Sequence, residues 1–106
     1  MSNPCPNPHE PGAKLDHDKP RCSLVLGAFA PALIEVAKVG TYGAKKYTEH
    51  GWKLVPNGIE RYKDALYRHL LAEELIDPDS GLPHMAHVAW NALAVLTLQI
   101  WGGWYR

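Results

Sequence analysis

Three histidines and several carboxylates fall close together in the second half of this chain. His84, His87 and Asn91 are spaced i, i+3 and i+7, so on a helix they form one stripe. Their neighbours Met85, Val88, Ala89, Trp90, Leu93, Val95 and Leu96 are apolar. Polar side chains on such a helix carry a solvation penalty unless they are paired. Upstream stand His69, Glu73 and Glu74, followed by Asp77 and Asp79. Imidazoles and carboxylates brought together can hold a divalent ion. The carboxylates suit Mg²⁺ or Mn²⁺, and the histidines shift the preference toward Mn²⁺. Zinc fits less well, because no cysteine accompanies the group. The bland alternative is a set of satisfied core histidines beside a solvated acidic loop.

A basic group points to phosphate. Lys14, Lys19 and Arg21 lie within one short segment, Lys45 and Lys46 close a helix, and Arg68 adjoins His69. Arginine forks match phosphate oxygens, whereas lysines at a helix C-terminus are also favoured by the macrodipole alone. Trp52, Tyr42 and Tyr47 could stack on a base, or serve as core.

The elements that must position these residues are helical. Pro31 suits a first helical turn, and Leu33, Val36, Ala37, Gly40, Ala44 and Tyr47 follow a helical period over about 31–47. Turn formers Gly51, Pro56, Asn57 and Gly58 separate this helix from a second over about 59–75. Ile76 to Pro83 is a sharp stop and restart, and a third helix runs over about 84–101. No stretch alternates with period two. The fold class is therefore all-α, a small bundle of three or four main helices. Helices two and three form an antiparallel hairpin, which would place the His69–Glu74 end beside His84 and His87. Bundles build metal sites in this way.

Composition bounds the rest. A chain of 106 residues fits one domain. Pro4, Pro6, Pro8 and Pro11 mark residues 1–12 as an extended or disordered arm, leaving 13–106 as the folded domain. Eleven basic and eleven acidic residues cancel, which argues against nucleic acid or an anionic membrane as main partner. No apolar run reaches the roughly 18 residues of a membrane span, and the N-terminus lacks signal-peptide character. Two cysteines, Cys5 and Cys22, make no disulfide framework, so a reduced, cytoplasmic protein is expected. The third helix is apolar around most of its circumference, more than a small bundle covers, so a homodimer or homotetramer is expected.

Several strings resemble a known family. Lys14-Leu15-Asp16-His17-Asp18-Lys19-Pro20-Arg21 is similar to the K-x-D-x-G-K-P-R opening of phage dATP/dGTP diphosphohydrolases, with Asp18 in place of the glycine. These are the MazZ-like branch of the all-α nucleotide pyrophosphohydrolases related to MazG. Thr41 to Tyr47 with Gly51-Trp52, Tyr67 to Ala72, and Ile76 to His87 through Asn91 carry the same resemblance in order.

The resemblance implies metal-dependent hydrolysis of a purine deoxynucleoside triphosphate, dGTP or dATP, to the monophosphate and pyrophosphate. In phages that replace adenine with 2-aminoadenine, it implies that dGMP feeds synthesis of the modified nucleotide. MazG-type enzymes hold metal with E-x-x-E and E-x-x-D pairs on successive helices. Here His84-x-x-His87 matches the second pair, and His69 with Glu73 is a candidate for the first. Glu74 matches an acidic residue before the Asp-Pro loop, and Glu35 matches an acidic position on helix one. The candidate metal ligands are thus Glu35, His69, Glu73, Glu74, Asp77, His84 and His87, with Glu74 and Asp77 the candidate catalytic carboxylates. Lys14, Lys19, Arg21, Lys45, Lys46, Tyr47, Trp52, Arg68 and Asn91 are the candidate substrate contacts. Two other readings remain open: a pyrophosphohydrolase for dUTP, dCTP or a damaged nucleotide, and a non-catalytic helical assembly module.

Overall fold

The computed structural model of the chain describes residues 7–102. The described residues form four α-helices and one 3₁₀ turn: α1 (Ser23–Leu26), α2 (Ala30–Lys46), the turn Gly51–Leu54, α3 (Gly58–Leu70) and α4 (His84–Trp101). The fold is all-α, as the periodicity predicts. Of the expected arm, residues 1–6, with Cys5, lie outside the described residues. Residues 7–13 fold into exposed turns, closed by Glu10 N–H to Asn7 C=O (3.2 Å) and Ala13 N–H to Glu10 C=O (3.0 Å).

Local chemistry sets the helix ends. Pro31 sits in the first turn of α2, where its missing N–H costs nothing, and Lys45 and Lys46 sit in the last turn, facing the negative end of the dipole. Pro83 and Gly102 bound α4 at the limits the sequence predicts. The second helix is shorter than expected. It stops at Leu70 rather than near residue 75, so Glu73 and Glu74 lie in the connection and not on the helix. The reason is a competing set of backbone bonds. Asp77 N–H donates to Leu82 C=O (2.9 Å) and His84 N–H to Leu75 C=O (3.0 Å), around an antiparallel bridge between Ile76 and Pro83. Gly81, at φ 72°, turns the chain between these partners in a conformation that glycine adopts without strain.

The helix packing is centred on α4. Its N-terminal end meets the end of α3 through His84 and His69, and its C-terminal part meets the start of α3, where Leu98 faces Gly58. The two helices are therefore antiparallel, as expected. On its other side α4 meets α2: Trp90 packs against Gly40, and His87 meets the Tyr42 ring edge-on at 6.3 Å. Close approach explains both glycines. A Cβ on Gly40 would lie 3.4 Å from Trp90 Nε1, and one on Gly58 would lie 3.1 Å from Leu98 and 3.4 Å from Tyr62.

The apolar core is small. Val39, Ala86, Ala94 and Val95 are buried, and so are the polar residues Asp77, His84, His87 and Asn91. Burial is thus concentrated at the histidine end of α4. The radius of gyration is 18.6 Å, against about 13 Å for a compact domain of this length. Phe29, Ile34, Leu93, Leu96 and Trp101 all stay exposed. A Gly58→Val substitution should lower unfolding stability by about 1–3 kcal/mol in urea titration, because Leu98 and Tyr62 leave no room for the branched side chain.

Candidate active site

His69, at the end of α3, comes first. Its Nδ1 lies 2.8 Å from His84 Nδ1 at the start of α4, and its ring stacks on His87 with centroids 4.3 Å apart and planes 8° from parallel. The 69/84/87 spacing places all three rings together only because the hairpin is antiparallel.

The connection adds the carboxylate. Asp77 Oδ1 accepts the Asp79 N–H (3.0 Å), and Oδ2 accepts the Ser80 hydroxyl (3.3 Å) and lies 3.4 Å from His87 Nε2. Ser80 Oγ is also 2.7 Å from His87 Nε2 and accepts the Leu82 N–H at 3.2 Å. Ser80 therefore binds loop to helix. His69, Asp77 and His87 each offer a ligand atom, and these atoms lie within 4.8 Å of one another.

Electrostatics prepare these groups differently. Burial lowers the His69 pKa below the ordinary imidazole value, and the neighbouring His87 lowers it further. Burial also lowers His87, outweighing the opposite pull of Asp77. Burial thereby favours the neutral form of both rings, the form that metal ligation needs. For Asp77, burial acts to raise the pKa. The Asp79 N–H and the Ser80 hydroxyl, with His87, overcome it, and the carboxyl is held below its usual range. Two neutral imidazoles and one firmly ionised carboxylate form a group that could hold a metal ion.

The cluster closes one end of an open cleft of about 1330 Å³ between α2 and α3, floored by α4. That is larger than the roughly 300–1,000 Å³ of common small-molecule sites. Lys46, Arg61 and Arg68 supply positive charge along it. The Lys46 pKa is raised, by Tyr42 first and then Tyr47, with Asp79 contributing, and the ammonium lies 5.4 Å from the Tyr47 ring centre. The far end is aromatic. Trp52 meets Trp90 edge-on at 5.6 Å and Tyr62 at 6.3 Å, while the Tyr62 hydroxyl donates to Trp52 C=O at 2.7 Å.

Among the residues singled out by sequence, His69, Asp77, His84, His87, Lys46, Tyr47, Trp52, Arg68 and Asn91 line this cleft. The Asn91 amide is spent on the His87 carbonyl of its own helix at 2.8 Å. Glu74 stands behind the cleft, with Oε1 3.5 Å from His84 Nε2. Glu35, Lys45, Glu73, Lys14, Lys19 and Arg21 are not brought to the cleft. Glu35 instead pairs with Lys38 at 2.8 Å on its own helix. Ser80, Tyr62 and Trp90 were not singled out. The string Asp77-Pro78-Asp79-Ser80-Gly81 carries a detectable signal for Ser80, since Asp and Ser before Gly favour side-chain-capped turns. Trp90 gives none, being one apolar residue in an apolar helix.

An all-α hairpin that brings a metal-competent cluster, basic side chains and aromatic rings to one cleft carries the groups that a phosphorylated compound calls for. The model of the dATP/dGTP diphosphohydrolase family, N-terminal region, matches residues 9–105, and the chain belongs to that family. It is accordingly an enzyme of the nucleoside triphosphate pyrophosphohydrolase type, with a nucleotide as substrate. No curated protein and no solved structure matches the chain. Among the described residues, no helix is long and apolar enough to cross a membrane.

Ser80→Ala removes the hydroxyl shared by Asp77, His87 and the Leu82 N–H. Urea unfolding should show a loss of about 1–3 kcal/mol, the range for a part-buried hydrogen-bonding group left without its partner.

Proposed function

We propose that this enzyme hydrolyses the purine deoxynucleoside triphosphates dGTP and dATP to the monophosphate and pyrophosphate, with a divalent ion held by His69, Asp77 and His87. The observation that carries the reading is the position of that cluster at one end of a cleft whose other end is aromatic. The donor set favours Mn²⁺ over Mg²⁺, since imidazole nitrogen is a poor ligand for the harder ion. His69, Asp77 and His87 would hold the ion, which when bound would supply neutralisation of phosphate charge and a lowered pKa of water.

The chain's own residues do the remaining work. Lys46 and Arg68 line the cleft and meet the phosphate oxygens. Trp52 stacks on the purine, with Tyr47 and the Trp90 indole beside it. Asp77 acts as a ligand, its carboxylate held in place by the Asp79 N–H and the Ser80 hydroxyl. Addition of one water across the bond between the α- and β-phosphates balances the products, the nucleoside monophosphate and pyrophosphate.

The exposed apolar side chains of α1, α2 and α4 support a homodimer or homotetramer, in which a neighbouring chain covers them. A cytoplasmic location and a role in supplying dGMP for 2-aminoadenine nucleotides in a phage rest on the family resemblance.

Incubation with each of the four deoxynucleoside triphosphates and Mn²⁺ should yield monophosphate and pyrophosphate from dGTP or dATP. Absence of product from all four would remove the proposal. Trp52→Ala should raise KM about 5- to 150-fold for the purine substrates with a smaller change in kcat, the range expected for one lost base stack. Light scattering at micromolar concentration should report two or four subunits, and a monomer would contradict the assembly.

A further inference from the structure

One polar atom of the site is buried without a hydrogen bond. It is His84 Nε2, which lies 3.5 Å from Glu74 Oε1, longer than the about 2.7–2.9 Å of a charge-assisted bond. The other nitrogen of the same ring, Nδ1, lies 2.8 Å from His69 Nδ1. Two ring nitrogens at that distance share one hydrogen, so one ring donates and the other accepts.

The two arrangements are not equivalent. If His84 donated from Nδ1, its neutral ring would turn a bare Nε2 lone pair toward the Glu74 carboxylate, placing two acceptors face to face. If His69 donates, neutral His84 carries its hydrogen on Nε2, the nitrogen 3.5 Å from that carboxylate. We propose that Glu74, His84 and His69 form a relay in which Glu74 fixes the tautomer of His84, and His84 fixes that of His69. His69 then keeps its hydrogen on Nδ1 and leaves Nε2 unprotonated, free to serve as its ligand atom in the group with Asp77 and His87. Carboxylate-to-histidine contacts of this kind orient metal-ligating imidazoles. The consequence for metal affinity rests on the reading of His69, Asp77 and His87 as a metal site. Glu74 and His84 are thus positioning residues.

The test uses the full chain. Nitrogen-15 NMR of the imidazoles, without metal and at pH 8, should show His69 protonated at Nδ1 and His84 protonated at Nε2. The opposite tautomer at His69 would overturn the relay. Glu74 is exposed, so Glu74→Ala should leave the thermal midpoint of the metal-free protein unchanged. It should mix the His69 tautomers and weaken Mn²⁺ binding by about 10–100-fold in calorimetric titration. Glu74→Gln, which keeps an acceptor oxygen, should restore most of both. Unchanged tautomer and unchanged Mn²⁺ affinity in Glu74→Ala would overturn the relay. Failure of the unsubstituted chain to bind Mn²⁺ would instead remove the metal reading, and the tautomer measurement would still decide the relay.

Discussion

The site depends on burying imidazoles where two helices meet. His84 and His87 are among the most buried residues of the chain, and Asp77 is buried with them. Imidazoles taken out of water cost free energy unless each ring nitrogen finds a partner. That requirement accounts for much of the local structure. It draws the end of α3 onto the start of α4 through the 2.8 Å contact between His69 and His84. It recruits Ser80 and Asp77 from the connection to His87. It also gives a reason for the connection to leave the helix at Leu70, since a helix continued to residue 75 would forgo the bonds that Asp77 and His84 make through their backbones.

The large elements were legible in the sequence because single residues mark them. Pro31 and Pro83 open helices, and Gly102 closes the last one. The His84/His87/Asn91 stripe was visible from spacing alone, as was its convergence with His69. The end of α3 was not. Leu70 to Leu75 carries good helix formers and no proline or glycine, so local propensity favours continuation, and the bond that wins at Leu75 comes from His84, nine positions on. Glu73 and Glu74 therefore lost their expected place on the helix. Ser80 escaped notice because its role depends on where His87 lies. Lys14, Lys19 and Arg21 match a family pattern, yet nothing in their own segment shows which surface they face.

The two ends of the cleft divide the chemistry by residue type. Neutral imidazoles and a carboxylate held ionised occupy one end, and indole and phenol rings the other. Lys46 and Arg68 line the same cleft. The zero net charge of the chain is thus a sum of opposed local fields, not a featureless surface. The elongated shape and the modest apolar core belong to a helical unit that supplies its own site cluster but leaves much apolar surface to be covered.

Metal ligation by His69, Asp77 and His87 is the step on which the proposed function rests. Anomalous X-ray scattering at the manganese edge, from crystals soaked in Mn²⁺, tests it most directly. An anomalous peak is expected within bonding distance of all three side chains. A peak bound elsewhere, or none at this cluster while Mn²⁺ supports turnover in solution, would contradict it.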